Sequence, residues 1–152
     1  MSYIMDLRKF VGHATLLQCA GSVIIENERG EILLGRRTDN HMWGYAGGSI
    51  ELGETVEDCA RRELREEMGL EAEEMEFLCV NSGPEAHYVY PNGDEVDNVE
   101  IVYVCRKWRG DIRPQADEIE SLRFFPIDAL PEISPPIRPV IRAYLAKRKT
   151  SV

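Results

Sequence analysis

Glu63, Glu66 and Glu67 stand at i, i+3 and i+4, the spacing that brings side chains onto one face of an α-helix. Three carboxylates on one face repel one another unless a cation joins them, and a hard divalent ion takes carboxylate oxygens. Gly47 and Gly48 lead through Glu54 into the same segment, and Gly69 ends it. Glycines there allow a tight turn and let backbone carbonyls come close to a metal. Arg62 can pair with Glu66 at i+4, but one guanidinium does not neutralise three carboxylates. Arg36 or Arg37 can clamp a phosphate, since guanidinium meets phosphate bidentately. Their alternation along a strand leaves only one of them facing such a site. Trp43, Tyr88 and Tyr90 are rings able to stack on a base or to pack in a core.

The glutamates need a helix to gather them. Thr55 is its expected N-cap, with Asp58 as capping-box partner. At about 100° per residue, positions seven apart nearly superimpose. Val56 then lies in line with Glu63, Cys59 with Glu66 and Ala60 with Glu67, so the stripe that starts apolar becomes carboxylate two turns later. Such a helix aims its glutamates toward the core, where unpaired charge is costly. Glu57, Arg61 and Arg65 fall on the outward face.

Around this helix, residues 14–26 read as a strand, Asn27-Glu28-Arg29-Gly30 as a turn and residues 31–36 as a second strand, together a hairpin. Residues 38–44 form a polar loop, and residues 45–50 a strand end feeding the glycines. Residues 75–81 read as a strand. Residues 85–90 and 96–107 read as a hairpin around Pro91-Asn92-Gly93-Asp94. Residues 122–125 form a short strand, and a last helix starts near Ser134 with Pro135 in its first turn. Its apolar residues Ile137, Val140, Ile141, Tyr144 and Leu145 make one stripe. The expected class is α+β, an α/β/α sandwich with a mixed central sheet.

The 152 residues suit one domain, 1–152, and the net charge of −9 is local. Residues 51–76 hold 11 acidic side chains and 3 arginines, whereas the rest holds 16 acidic and 15 basic residues. A duplex-binding protein would carry a basic stripe instead, so duplex nucleic acid is not the expected partner. There is no stretch long enough to span a bilayer, and the start lacks a secretory h-region. Cys19, Cys59, Cys79 and Cys105 are scattered and read as small core hydrophobes in a reducing compartment, so the expected location is cytoplasmic.

Residues 48–70 fit G-x5-E-x7-R-E-U-x-E-E-x-G-U, with U a bulky aliphatic, at every fixed position. This resembles the Nudix box of the Nudix hydrolases. The approach through Leu33 to Arg37 and Trp43, and the acidic loop running from Glu118 into Phe125, extend the likeness over nearly the whole chain. Ala46 stands where many relatives have proline, which frees a φ angle but removes no ligand.

The resemblance implies the Nudix fold and hydrolysis of a nucleoside diphosphate linked to some group X, with Mg2+ or Mn2+. It implies Glu63 and Glu67 as principal ligands, Glu66 as ligand or base, the Gly47 carbonyl assisting, and Glu54 and Arg62 bracing the helix. Glu118 and Glu66 are the candidate general bases. Arg36, Arg37 and Trp43 are the candidate substrate contacts. The substrate is a small nucleotide derivative, with ADP-ribose, a nucleotide sugar and a dinucleoside polyphosphate as alternatives. Pro84 is close to an ADP-ribose signature and Tyr88 to a dinucleoside polyphosphate one. A nucleotide-sensing module without catalysis is the alternative function. A prenyl-diphosphate isomerase or RNA-decapping relative is disfavoured by short length and by the lack of a basic surface. The hairpin carrying Tyr88, Val89, Tyr90, Val99, Ile101 and Tyr103 leads to the expectation of a homodimer.

Overall fold

The computed structural model describes residues 2–150. It opens with a helix that the sequence reading did not assign, α1 (Tyr3–Val11). Ser2 caps it by accepting the Met5 N–H at 3.0 Å, and Gly12 closes it at φ 63°. Arg8 is its anchor, buried with its guanidinium donating to the carbonyls of Gly12 and Glu95 at 3.1 and 2.7 Å.

Strands β1 (Leu16–Ile25) and β2 (Ile32–Arg37) follow. The turn between them forms as expected, with Asn27 Oδ1 accepting the N–H groups of Arg29 and Glu31 at 3.0 Å. The hairpin does not. A single bridge joins Glu26 and Ile32, and the strands then part into different sheets. Both edges of β1 are already taken: β4 (Ala46–Ser49) pairs with it antiparallel and β7 (Glu95–Gly110) pairs with it parallel.

The first sheet continues from β7 to β5 (Leu70–Asn81), and β6 (His87–Val89) pairs with β7 as the expected hairpin arm. It is therefore mixed, as the sequence reading has it. The second sheet is antiparallel, with β2 between β3 (Trp43–Gly44) and β8 (Ile119–Phe125). β5 begins five residues before the expected Met75, directly after Gly69. Glu71, Glu73 and Glu74 hide it in the sequence, and neighbouring cations make it tolerable. Arg65 pairs with Glu71 at 2.7 Å, Lys107 with Glu74 at 3.3 Å, and Arg106 with Glu76 at 2.8 Å.

The helices α2 (Val56–Met68) and α3 (Arg138–Thr150) cover the two faces. Alternation along β1 sends Val23 and Ile25 against Ala60, Leu64 and Met68 of α2. Ile24 goes the other way, to Val140, Ile141 and Tyr144 of α3. The last helix enters through a 3-10 turn, Pro135–Ile137, so its α-helical part starts later than expected. Cys59 and Cys105 are buried as expected, Cys79 half so, and Cys19 is exposed because β1 runs past the cover of α2 there.

Candidate active site

Helix α2 has the caps its sequence calls for. The Thr55 half of the capping box forms, with Oγ1 accepting the Asp58 N–H at 3.1 Å. Gly69 takes the left-handed conformation at φ 76° and returns its N–H to the Arg65 carbonyl. The buried row is Cys59, Ala60, Leu64 and Met68. Glu63 and Glu67 fall within this arc and are half-buried. Glu66 lies about 100° round the helix from Glu67, and its side chain is 51% exposed. The structure therefore draws two of the three glutamates inward and leaves the third at the rim. Of the expected outward residues, Glu57 and Arg65 are exposed, but Arg61 folds back to donate to the Ala72 carbonyl on β5.

The glycine pair meets these carboxylates closely. The Gly47 N–H donates to Glu67 Oε2 at 3.1 Å. A Cβ on Gly48 would stand 2.5 Å from the Glu63 carboxylate carbon, so no larger residue fits there without moving Glu63. Cys59 Sγ donates to the Gly48 carbonyl at 3.3 Å and ties the loop to the helix.

Arg62 is the hub beneath. It grips Glu54 with two N–H groups, at 2.7 and 3.0 Å, and donates to Glu63 at 2.7 Å, to Glu66 at 3.4 Å and to the Ser49 carbonyl at 3.1 Å. The Glu54 bond above all holds Arg62 firmly charged, and the same bond draws the Glu54 carboxyl below its ordinary value. Because the guanidinium is spent mainly on Glu54, the glutamate face stays short of positive charge. Burial raises the Glu63 carboxyl, with Arg62 opposing and Glu66 and Glu118 adding. Burial also pushes Glu67 well up, helped by Glu63 and Glu118 and opposed by the Gly47 N–H and Arg37. Among the described residues, no three His, Cys, Asp or Glu side chains are gathered closely enough to hold a metal ion as they stand.

Glu118 is exposed, at the entry to β8, in a loop sewn to the end of β2 by the Thr38 N–H donating to the Glu118 carbonyl at 2.9 Å. This brings its charge to bear on both inward glutamates. The structure also separates the two arginines. Arg37 lines the cleft beside Glu67, held by two bonds to Asp39 at 2.9 and 2.7 Å and lying 5.9 Å from the centre of the Tyr90 ring. Arg36 turns away to the His41 carbonyl and Glu120. Trp43 does not line the cleft. Its ring packs edge-on against Phe125 at 4.8 Å, beside the core under α3. Tyr88 and Tyr90 do line it, as an edge-to-face pair 5.0 Å apart, and Tyr103 is buried, which removes that ring from the expected dimer surface.

The cleft floor went unread in the sequence. Ser22 Oγ and Tyr45 OH both donate to Glu100 Oε2, at 2.6 and 3.0 Å, and Asn81 Nδ2 donates to Oε1 at 3.2 Å. Gln18 Nε2 donates to Asn98 Oδ1 at 2.9 Å nearby. The signal was parity. Asn98 and Glu100 share a face of β7 with the core residues Val102 and Val104, as Gln18 and Ser22 share one of β1 with Ile24. Polar residues at inward positions of a strand mark a place where the core opens into a site.

The glycine loop thus packs against the glutamate helix beside a cleft lined by residues of both sheets. The chain belongs to the NUDIX domain family, whose profile matches residues 17–144. It is 34% identical over 133 residues to the NAD-capped RNA hydrolase NudC of Pseudomonas aeruginosa, covering 84% of this chain and 44% of that protein. It thus spans less than half the length of the curated relatives it matches. A shorter match, 39% over 61 residues, is to an RNA pyrophosphohydrolase of Pseudomonas putida. Both names contain RNA, a class that length and charge had set aside. The crystal structure of a MutT NUDIX hydrolase from Burkholderia pseudomallei superposes with TM-score 0.71 at 28% identity, covering 84% of this chain and 98% of that one. The fold is shared as well by the NUDIX domain of Shewanella oneidensis NrtR, solved with ADP ribose, at TM-score 0.68 and 15% identity over 97% of this chain. No helix among the described residues is long and apolar enough to cross a membrane.

Proposed function

We propose that this chain is a Nudix pyrophosphohydrolase that uses Mg2+ or Mn2+ to split the diphosphate of a nucleoside diphosphate derivative. The observation that carries the reading is the pair Glu63 and Glu67. Both are half-buried, Glu63 raises the proton affinity of Glu67, and Arg62 divides its donors between Glu63 and Glu54. Two such carboxylates beside a glycine loop that excludes side chains fit a hard divalent ion. Glu63, Glu67 and the Gly47 carbonyl are its proposed ligands, with Glu66 completing the set. Bound there, the ion supplies Lewis-acid charge at the diphosphate and lowers the pKa of water.

The chain's own groups do the rest. Arg37, fixed in orientation by Asp39, holds a phosphate from the opposite wall. Glu118 is open to solvent and takes the proton of the attacking water, with Glu66 as the alternative base. The new P–O bond forms as the bridging P–O bond breaks, giving a nucleoside monophosphate and X-phosphate. Tyr88 and Tyr90 wall the nucleoside end. The name of the NudC relatives supports adding an NAD-type linkage to the candidates, alongside ADP-ribose, nucleotide sugars and dinucleoside polyphosphates.

A panel of these compounds, assayed with Mg2+ and coupled phosphate detection, tests the proposal. Turnover of at least one compound that stops on chelation supports it. Full turnover in excess chelator, or nucleotide binding with no turnover throughout the panel, overturns it, the latter in favour of a sensing module. A cytoplasmic location and a homodimer complete the reading. The proposed contact is the open edge of β5, where Phe77 and Val80 are exposed. A monomer in light scattering at micromolar concentration would remove the dimer.

A further inference from the structure

Glu100 is a buried carboxyl without a cation. It is 6% exposed, and two hydroxyls and an amide meet it, with no ion pair to it among the described residues. Burying a carboxylate this way is costly, and burial does raise its proton affinity against those three donors. It also faces the cleft, on the inward side of β7 opposite Ala20. Ser22, which holds it, is the β1 residue paired with Gly47, and Tyr45, which also holds it, stands just before β4.

We propose that the floor around Glu100 is a nucleobase subsite that favours a base with an exocyclic amino group, adenine or cytosine, over its oxo counterpart, hypoxanthine or uracil. The proposal rests on the nucleotide reading above and names which nucleotides fit. An ionised carboxylate offers about four acceptor sites. Oε2 accepts two bonds, from Ser22 and Tyr45, whereas Oε1 accepts one, from Asn81. Oε1 therefore keeps an acceptor site for a ligand N–H. An amino group fills it, and an oxo group in the same place sets a carbonyl lone pair against a carboxylate.

The spacing agrees. Ala20 and its partner Glu100 lie two residues, or about 7 Å, along the strand from Ser22, which is paired with Gly47 at the phosphate end. The amide pair Gln18 and Asn98 lies a further two residues on. Each amide spends one of its two N–H donors inside the protein, Gln18 on Asn98 and Asn98 on the Ala86 carbonyl at 2.9 Å. Tyr88 and Tyr90 supply the aromatic wall beside the floor.

Calorimetric titration of the whole chain with ADP, IDP, CDP and UDP in Mg2+ tests this. The expected result is that ADP binds at least about tenfold tighter than IDP, and CDP at least about tenfold tighter than UDP, the scale of a hydrogen bond to a charged group. Glu100→Gln, which keeps the shape but turns an acceptor into a donor, should shrink both ratios to within about threefold. Selectivity that follows ring size, equal binding within each pair, or ratios unchanged in Glu100→Gln overturns the subsite. If that variant does not fold, the two wild-type pairs decide, because each differs by the same amino-for-oxo exchange. Turnover in the panel without the amino preference defeats the subsite alone. The preference without any turnover defeats the hydrolase reading alone.

Discussion

Gly47 is the residue through which strand packing reaches the glutamates, and replacing it tests that link quantitatively. A Cβ at Gly47 would stand 2.0 Å from Ser22 Oγ, 2.7 Å from Ser22 Cβ and 3.1 Å from Ser22 Cα. Carbon atoms sit best at about 3.5–4.0 Å, so Gly47→Ala must push β4 off β1. Overpacking of this kind costs about 1–3 kcal/mol. In a chain of this size each kcal/mol moves Tm by about 2–4 °C. The expected loss is therefore roughly 2–12 °C. Moving β4 also draws the Gly47 N–H away from Glu67, so activity should fall with stability.

Ser22→Gly removes Oγ and Cβ and leaves only the 3.1 Å approach to Cα, which a shift of a few tenths of an ångström relieves. By itself it is destabilising, since it deletes the bond to Glu100. Combined with Gly47→Ala, it should recover stability, with a coupling of at least about 1 kcal/mol. Urea melts of the four proteins, compared at equal m, measure that coupling. Additivity within about 0.5 kcal/mol would refute the claim that Ser22 is what forbids a side chain at Gly47.

Glu67→Gln should lower kcat by about two orders of magnitude or more through lost charge stabilisation, while Glu57→Gln on the outward face is nearly silent. Equal losses in steady-state assays would show that the helix faces are misjudged. Glu118→Gln should slow turnover while leaving Mn2+ affinity in a binding titration unchanged, and unaltered turnover would move the base to Glu66. The folded-state values of Glu63 and Glu67 are raised from 4.5. Stability from a raised group is fully present at acid pH and is lost as pH climbs through the folded value. The Tm of chelated protein should therefore fall as pH rises above about 5, and Glu67→Gln should flatten the fall. A Tm that climbs over that range in both proteins would contradict the sign.

Local chemistry made much of this protein legible in its sequence. Thr55 and Gly69 bound α2 because cap and left-handed closure depend on residues within a turn of themselves. The i, i+3, i+4 spacing put Glu63, Glu66 and Glu67 close together for the same reason, and Asn27 and the Asn92-Gly93 turn formed where they were read. Parity along β1 and β7 also carried the two-faced core and, unread, the polar floor at Gln18, Ser22, Asn98 and Glu100. Pairing is another matter, because it is a contest between distant segments. β1 leaves β2 because β4 and β7 occupy both its edges, and no local signal reports that. The acidic start of β5 finds its partners at a distance: it pairs with β7, whose Lys107 meets Glu74 from 33 residues away. Only tertiary packing turned Arg37 into the cleft and Arg36 out of it, sent Trp43 to Phe125 and brought Tyr88 to the cleft wall. It also split the glutamate triad, because the buried arc of α2 takes in Glu63 and Glu67 and stops short of Glu66.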